Sequence, residues 1–247
     1  MLTSAIIFPK IQIHHRIRDQ RYGVIFGSIS YLNLLPFQLY LKRALPHSQI
    51  QQSIRYRRDT PSNINRAFKH SRVNAAFISS ITSGGCRCTD LGIIADGPVY
   101  SVFVLPGEDE RDIESATSNV LAGTLRLHGR VVIGDKALQM YLSGIEGIDL
   151  SQRWKEETGL PFVFARLCYN RYGKTIEKIA GTFNKRGSKI PQTTLKREAD
   201  KRHISTRELR WYLEHIHYRM DHRAKRSLEL FLKKSKKRAK KSRPYVT

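Results

Sequence analysis

Cysteine is scarce in this chain, with three in 247 residues: Cys86, Cys88 and Cys168. So small and odd a number excludes a disulfide framework and points to a reducing compartment. Cys86-Arg87-Cys88 has the spacing of a fragment of a metal site. A structural zinc needs about four ligands, however, and no nearby histidine or second cysteine pair completes the set, so no metal is expected. No P-loop and no dinucleotide fingerprint occurs, which leaves no sign of a nucleotide or nicotinamide cofactor. Long apolar runs are missing as well. Residues 1–21 hold only the short run at 5–8, followed by charges where a signal peptide would carry them first. They read as an N-terminal extension to a cytoplasmic protein that does not enter a membrane.

Acidic residues are few, 21 against 44 Lys and Arg, for a formal charge of +23. The excess is not evenly spread. Residues 185–247 hold 21 Lys and Arg against six Asp and Glu, a net of +15, so the body is only mildly basic and suits an anionic small molecule. The tail opens an alternative function in nucleic-acid binding. Residues 195–213 imitate a helix-turn-helix, with Ala199 at the small inward position and Leu209 packing the second helix. Against it, His203 stands where glycine is usual, and Trp211 and Tyr212 make the second helix bulky.

Hydropathy periodicity describes an α/β protein. An apolar strand at 24–29 leads to a helix entered at Pro36, and Asn33 falls in the turn between them. There Asn33 either caps the helix or faces a ligand at the carboxyl end of the strand. A second strand carries Ile50, Gln52, Ile54 and Tyr56, and Asp59-Thr60-Pro61 begins a helix over 61–70. The strand at 73–78, apolar as a parallel strand covered on both faces would be, ends at Ser79-Ser80. Strands at 91–95 and 99–105 flank the turn Asp96-Gly97-Pro98, and the second carries Ser101. The acidic piece 106–114 marks a boundary. Ser115, Thr117 and Ser118 then crowd one helix N-terminus with more hydroxyls than a cap requires. Strand 131–133, a helix from Gly134, an Asp149-capped helix ended by Gly159, strand 161–168 and helix 175–183 follow. The tail reads as helices over 191–202 and 205–220, the latter opened by a Ser205/Glu208 capping box, with a third from 221. The expected architecture is two lobes, 22–102 with 161–184 and 103–160, joined by two crossings around a cleft, followed by a basic helical tail at 185–247.

Six motifs in order, G-S-I-S-Y-L-N-L-L-P (27–36), F-I-S-S (77–80), D-G-P-V-Y-S-V (96–102), S-A-T-S (115–118), V-I-G-D-K-A-L (132–138) and W-K-E-E-T-G-L-P-F-V-F-A (154–165), resemble the chorismate dehydratases of menaquinone synthesis. The resemblance implies a two-lobed fold like that of periplasmic binding proteins, used as a cytoplasmic lyase. It implies chorismate as substrate and 3-[(1-carboxyvinyl)oxy]benzoate as product, the first step of the futalosine route. Thr82 departs from the pattern, standing where the family usually has an acidic residue.

The residue types suit that chemistry. Chorismate is a dicarboxylate, and hydroxyls with free helix amides bind carboxylates without lysine or arginine. Ser30, Ser79, Ser80, Gly97, Ser101, Ser115, Thr117 and Ser118 are the expected binding residues. Elimination removes the ring proton beside the enolpyruvyl ether and expels the neighbouring hydroxyl, and the aromatic product drives it without metal, flavin or nicotinamide. By resemblance Asn33 stands at the reacting centre, orienting the substrate while the substrate's own enolpyruvyl carboxylate takes the proton. Asp96 is the alternative base, or merely the first residue of its turn.

Overall fold

The structure, a computed structural model, describes residues 24–44 and 59–241. The expected N-terminal extension and the strand of Ile50 to Tyr56 lie outside the described residues. Two sheets organise the rest. The larger has the order β1 (Phe26–Gly27), β2 (Ala75–Ser79), β7 (Phe162–Tyr169), β3 (Cys88–Ala95) and β8 (His217–Arg219). The smaller has the order β5 (Arg130–Ile133), β4 (Val102–Leu105) and β6 (Ile148–Asp149). Strand β3 leads out of the first sheet toward the second, and β7 brings the chain back.

Local chemistry explains most helices. Helix α1 (Leu35–Ala44) follows a three-residue 3-10 turn, Leu32–Leu34. Helix α2 (Pro61–Lys69) is capped by Thr60, which accepts from Asn63 N, and buries Ile64 and Phe68, four residues apart on one face. Helices α3 (Ala116–Thr124), α4 (Gly134–Leu142) and α5 (Leu150–Thr158) belong to the second sheet's half. Asp149 caps α5 by accepting from Ser151 N and Gln152 N, and Gly159, left-handed at φ 69°, ends it. Helix α6 (Gly173–Arg186) returns to the first sheet. There Phe183 and Phe77 meet Phe37 of α1 edge-on, with ring centroids at 5.2 and 5.1 Å. Each such buried ring contributes roughly 2 kcal/mol by area.

Three expectations are corrected, the first in part. The run at 73–78, apolar as a parallel strand would be, gives β2, which pairs parallel with β1 but antiparallel with β7 on its other side, and β7 is antiparallel to β3 as well. The cysteines are not all free: Cys88 and Cys168 are disulfide-bonded, leaving Cys86. They face each other directly on β3 and β7 with Cα atoms 3.8 Å apart, a pairing that depends on register and is invisible to a count.

The tail is the third. Helices α7 (Gln192–Asp200) and α8 (Thr206–Glu214) form, the latter with its capping box, but the helix expected to reach Met220 stops at Glu214. Ile216 and Met220 are buried, Tyr218 half-buried, His217 and Arg219 exposed, and this period-two alternation makes β8, an edge strand antiparallel to β3. Helix α9 (His222–Lys241) then lays Ala224, Ser227, Leu228 and Phe231 inward. It gives Trp154 Nε1 an acceptor, Ser227 Oγ at 2.9 Å. The tail is thus an integral layer. Its would-be recognition helix α8 buries Leu209 and Tyr212 in the core and stacks Trp211 on Tyr141, so the bulky residues that spoil a DNA-reading helix serve packing.

Candidate functional site

The two halves meet at a cavity of about 60 Å³. From the first sheet's half come Ile29, Tyr31, Asn33, Phe77, Ser79 and Phe164; from the second come Ser115, Thr117, Ser118 and Gly134, with Ser101 at the crossing. A larger open groove of about 800 Å³ lies on the other flank of α3, lined by Arg111, Arg126 and His128 among others. Size favours the groove, but converging donors favour the cavity. Asp109 in the groove is already taken by His128, 3.0 Å away, and by Gly129 N at 2.7 Å.

Asn33 does not cap. It sits inside the 3-10 turn whose flanking residue is Tyr31, and no side-chain capping bond is made. Its Oδ1 is buried without a hydrogen-bond partner, in the wall of the cavity. A buried amide oxygen left unpaired costs about 1–3 kcal/mol, a cost that a ligand's donor removes. The turn around it is tied from three sides. Gln38 Nε2 donates to Ile29 O at 2.6 Å, Leu32 N donates to Asp135 Oδ1 at 2.9 Å, and Tyr218 Oη donates to Asn33 O at 2.6 Å.

The hydroxyls divide by task. Ser115 caps α3, its Oγ accepting from Ser118 N at 3.1 Å and donating to Ser118 Oγ at 2.8 Å. Ser118 keeps its own proton to donate. Thr117 Oγ1 accepts from Ile81 N at 3.3 Å, tying α3 to the other half of the molecule. Ser79, at the end of β2, is held twice by Asn65 of α2: Asn65 Nδ2 donates to its Oγ at 2.8 Å, and its N donates to Asn65 Oδ1 at 3.1 Å. Ser101 Oγ lies 3.0 Å from the Tyr212 hydroxyl. With α3 presenting its positive end here, the cavity suits a carboxylate.

Four expected site residues fall elsewhere. Ser80 is fully buried and donates to Val163 O at 2.6 Å; Ser30 has an exposed side chain, and its carbonyl accepts from Arg202 Nη2 at 2.9 Å. Gly97 is a turn glycine at φ 130°, outside the cavity wall. Asp96 is exposed, with one oxygen on Lys155 Nζ and the other 3.0 Å from Arg223 Nη1. Partial burial raises its pKa, but the two cations outweigh that and hold the carboxyl below its ordinary range. So engaged, it is no base for this cavity. A folded value below the unfolded one means a contribution that is complete above about pH 4 and fades as pH falls through the lowered value. Asp96→Asn is expected to keep turnover within about twofold and to lose less than about 1 kcal/mol at pH 7, with the deficit shrinking by pH 3. Steady-state rates and melting curves at both pH values check it, and a hundredfold rate loss would return Asp96 to the chemistry.

Several contributors were not singled out from sequence. Tyr31 donates to Glu114 across the cleft, and burial, with that acidic neighbour, pushes its pKa far up. Asp135 and Arg202 form a second tie between the halves, with Arg202 Nε 2.5 Å from Asp135 Oδ2. Tyr31 and Asp135 stand inside two of the six motifs, where a signal existed; Asn65, Tyr212 and Tyr218 gave none. Among the described residues no cluster of metal-ligating side chains occurs, and no helix is long and apolar enough to cross a membrane.

Comparison with known proteins identifies the family. A chorismate dehydratase of Campylobacter jejuni is 38% identical over 218 residues, covering 86% of this chain and 98% of that protein. A crystal structure of a protein from Archaeoglobus fulgidus aligns at TM-score 0.57 with 10% identity, covering 88% of this chain and 99% of that one, which supports the fold alone. A family described as menaquinone biosynthesis matches residues 115–237, which include α3 and most of the tail. The chain belongs to the chorismate dehydratase family of menaquinone biosynthesis.

Proposed function

We propose that the protein dehydrates chorismate to 3-[(1-carboxyvinyl)oxy]benzoate in the cavity around Asn33, as a cytoplasmic hydro-lyase with a periplasmic-binding-protein-like, two-lobed fold. The observation that carries this reading is the unpartnered Oδ1 of Asn33 in a cavity edged by Ser79, Ser101 and Ser118. The family membership supports the substrate, and the hydroxyls with the α3 N-terminus suit its two carboxylates.

Among the described residues no carboxylate, imidazole, amine or guanidinium lines the cavity; the one ionisable side chain among them is Tyr31, which burial keeps protonated. This favours a substrate carboxylate as the base. The enolpyruvyl carboxylate takes the ring proton, the C–H electron pair becomes a ring double bond, and the neighbouring C–O bond breaks; the hydroxide leaves as water with the proton that the carboxylate took, which restores the carboxylate. The ring carboxylate is vinylogous to the carbon losing its proton, so donors such as Ser118 stabilise charge as it develops there. Asn33 holds the reacting atoms in register, a contribution that reaches several kcal/mol for well-aligned partners.

Incubation of the purified protein with chorismate, followed by mass spectrometry, tests the function. The expected product is lighter by one water and accumulates with enzyme concentration; chorismate recovered unchanged overturns the reading. A pH profile tests the base. With Tyr31 protonated throughout and substrate carboxylates ionised above about pH 5, kcat is expected to be flat from about pH 6 to 9 and to fall only as the carboxylates protonate. An ascending limb centred near pH 6.5 to 7 would instead require an ionisable side chain of the protein.

A further inference from the structure

The tail reaches the cavity. Tyr218, on β8, donates its hydroxyl to Asn33 O at 2.6 Å, although 185 residues separate the two. Tyr212, on α8, meets Ser101, and Arg202, between α7 and α8, meets Ser30 O. Of these contacts, the one to Asn33 touches the residue at the proposed reacting centre.

Asn33 needs such help. It lies in a 3-10 turn of three residues closed by Leu34 N to Tyr31 O at 3.1 Å, and a turn so short does not hold itself rigid. The peptide planes set the direction of its Cα–Cβ bond, so whatever fixes its carbonyl also fixes the point from which the amide reaches into the cavity. Tyr218 is itself anchored. Its ring meets Phe183 edge-on at 5.2 Å, and Phe183 in turn meets Phe37 of α1, so the phenol stays in place independently of its hydroxyl. Burial pushes its pKa well above 10, which keeps it a donor at every working pH.

We infer that Tyr218 is a positioning residue for the dehydration, its hydroxyl fixing the Asn33 carbonyl so that the Asn33 amide faces the substrate, and that the basic tail is part of the catalytic apparatus. The inference rests on the proposed role of Asn33. Misplacement of a reacting group by about 1 Å costs up to a hundredfold in rate, so loss of one of several ties is expected to cost about tenfold.

The full-length protein is tested as Tyr218→Phe, Asn33→Ala and the double variant, with Tyr169→Phe as a control that removes a hydroxyl bonded to Glu177. Tyr218→Phe is expected to lower kcat about tenfold with KM within about twofold and the melting temperature within a few degrees. Tyr169→Phe should turn over as wild type. In the Asn33→Ala background, Tyr218→Phe should lower kcat no further, because the group it positions is gone. Unchanged kcat in Tyr218→Phe, or an equal loss in both backgrounds, overturns the inference while leaving Asn33 in place. Wild-type kcat in Asn33→Ala overturns the site reading and this inference with it.

Discussion

Replacing Asn33 by aspartate is expected to leave a folded protein whose chorismate turnover falls about a thousandfold. Two effects compete, and their sizes decide the outcome. For the fold, carboxylate and amide have nearly the same shape, and the buried Oδ1 of Asn33 makes no hydrogen bond that the change could break. Asn33 is half-buried, so the cost is partial desolvation of a new charge, and the melting temperature should move by no more than about 5 °C. For the reaction, the charge faces a dicarboxylate in a cavity to whose wall the described residues contribute no cationic side chain. Two like charges about 4 Å apart at an effective dielectric near 20 repel by about 4 kcal/mol, roughly a thousandfold in kcat/KM. Steady-state kinetics beside a melting curve separate these effects. Wild-type kinetics in the variant would remove Asn33 from the site.

Gly134→Ala is the second large expectation, with stability down by about 2 kcal/mol and activity down at least a hundredfold. Gly134 opens α4 at φ 71°, where an L side chain costs roughly 1–2 kcal/mol. A Cβ there would stand 2.6 Å from the ring of Tyr31, which must move, and Tyr31 is the side chain that bonds Glu114 across the cleft. The substitution therefore strains the backbone and pries the two halves apart. Gly144→Ala isolates the first effect, since Gly144 is also left-handed, at φ 82°, with nothing within 4 Å of its would-be Cβ. It should cost about 1 kcal/mol and leave turnover intact. Equal activity in the two variants would show that contact with Tyr31 is unimportant.

What was legible in the sequence was what neighbours in the chain decide. Thr60 before Pro61, Asp149 with Gly159 and the Ser205/Glu208 box all cap or end their helices as read, because each acts on backbone groups within four residues. The hydroxyls that line the cavity, Ser79, Ser101, Ser115, Thr117 and Ser118, were placed together by their motifs. What failed or stayed open depended on distant partners. The sequence leaves Asp96 open, as the alternative base or as the first residue of its turn, because the partners that engage it, Lys155 and Arg223, lie 59 and 127 residues away. The disulfide depends on the register of β3 with β7. Strand β8 was hidden at the end of a helical pattern, since three residues of alternation are too few to outweigh the nine helical residues before them. With β8 hidden, the reach of Tyr218 to Asn33 was hidden too.

A crystal structure of the protein soaked or co-crystallised with 3-[(1-carboxyvinyl)oxy]benzoate tests the central claim most directly, because it asks where the reaction's product sits. The expected density lies between the halves, with the aromatic ring beside Asn33 and one carboxylate within hydrogen-bond distance of Ser118 and the α3 N-terminus. Product in the groove beyond α3, against Arg111 and Arg126 with the Asn33 cavity unfilled, would contradict the assignment of the site.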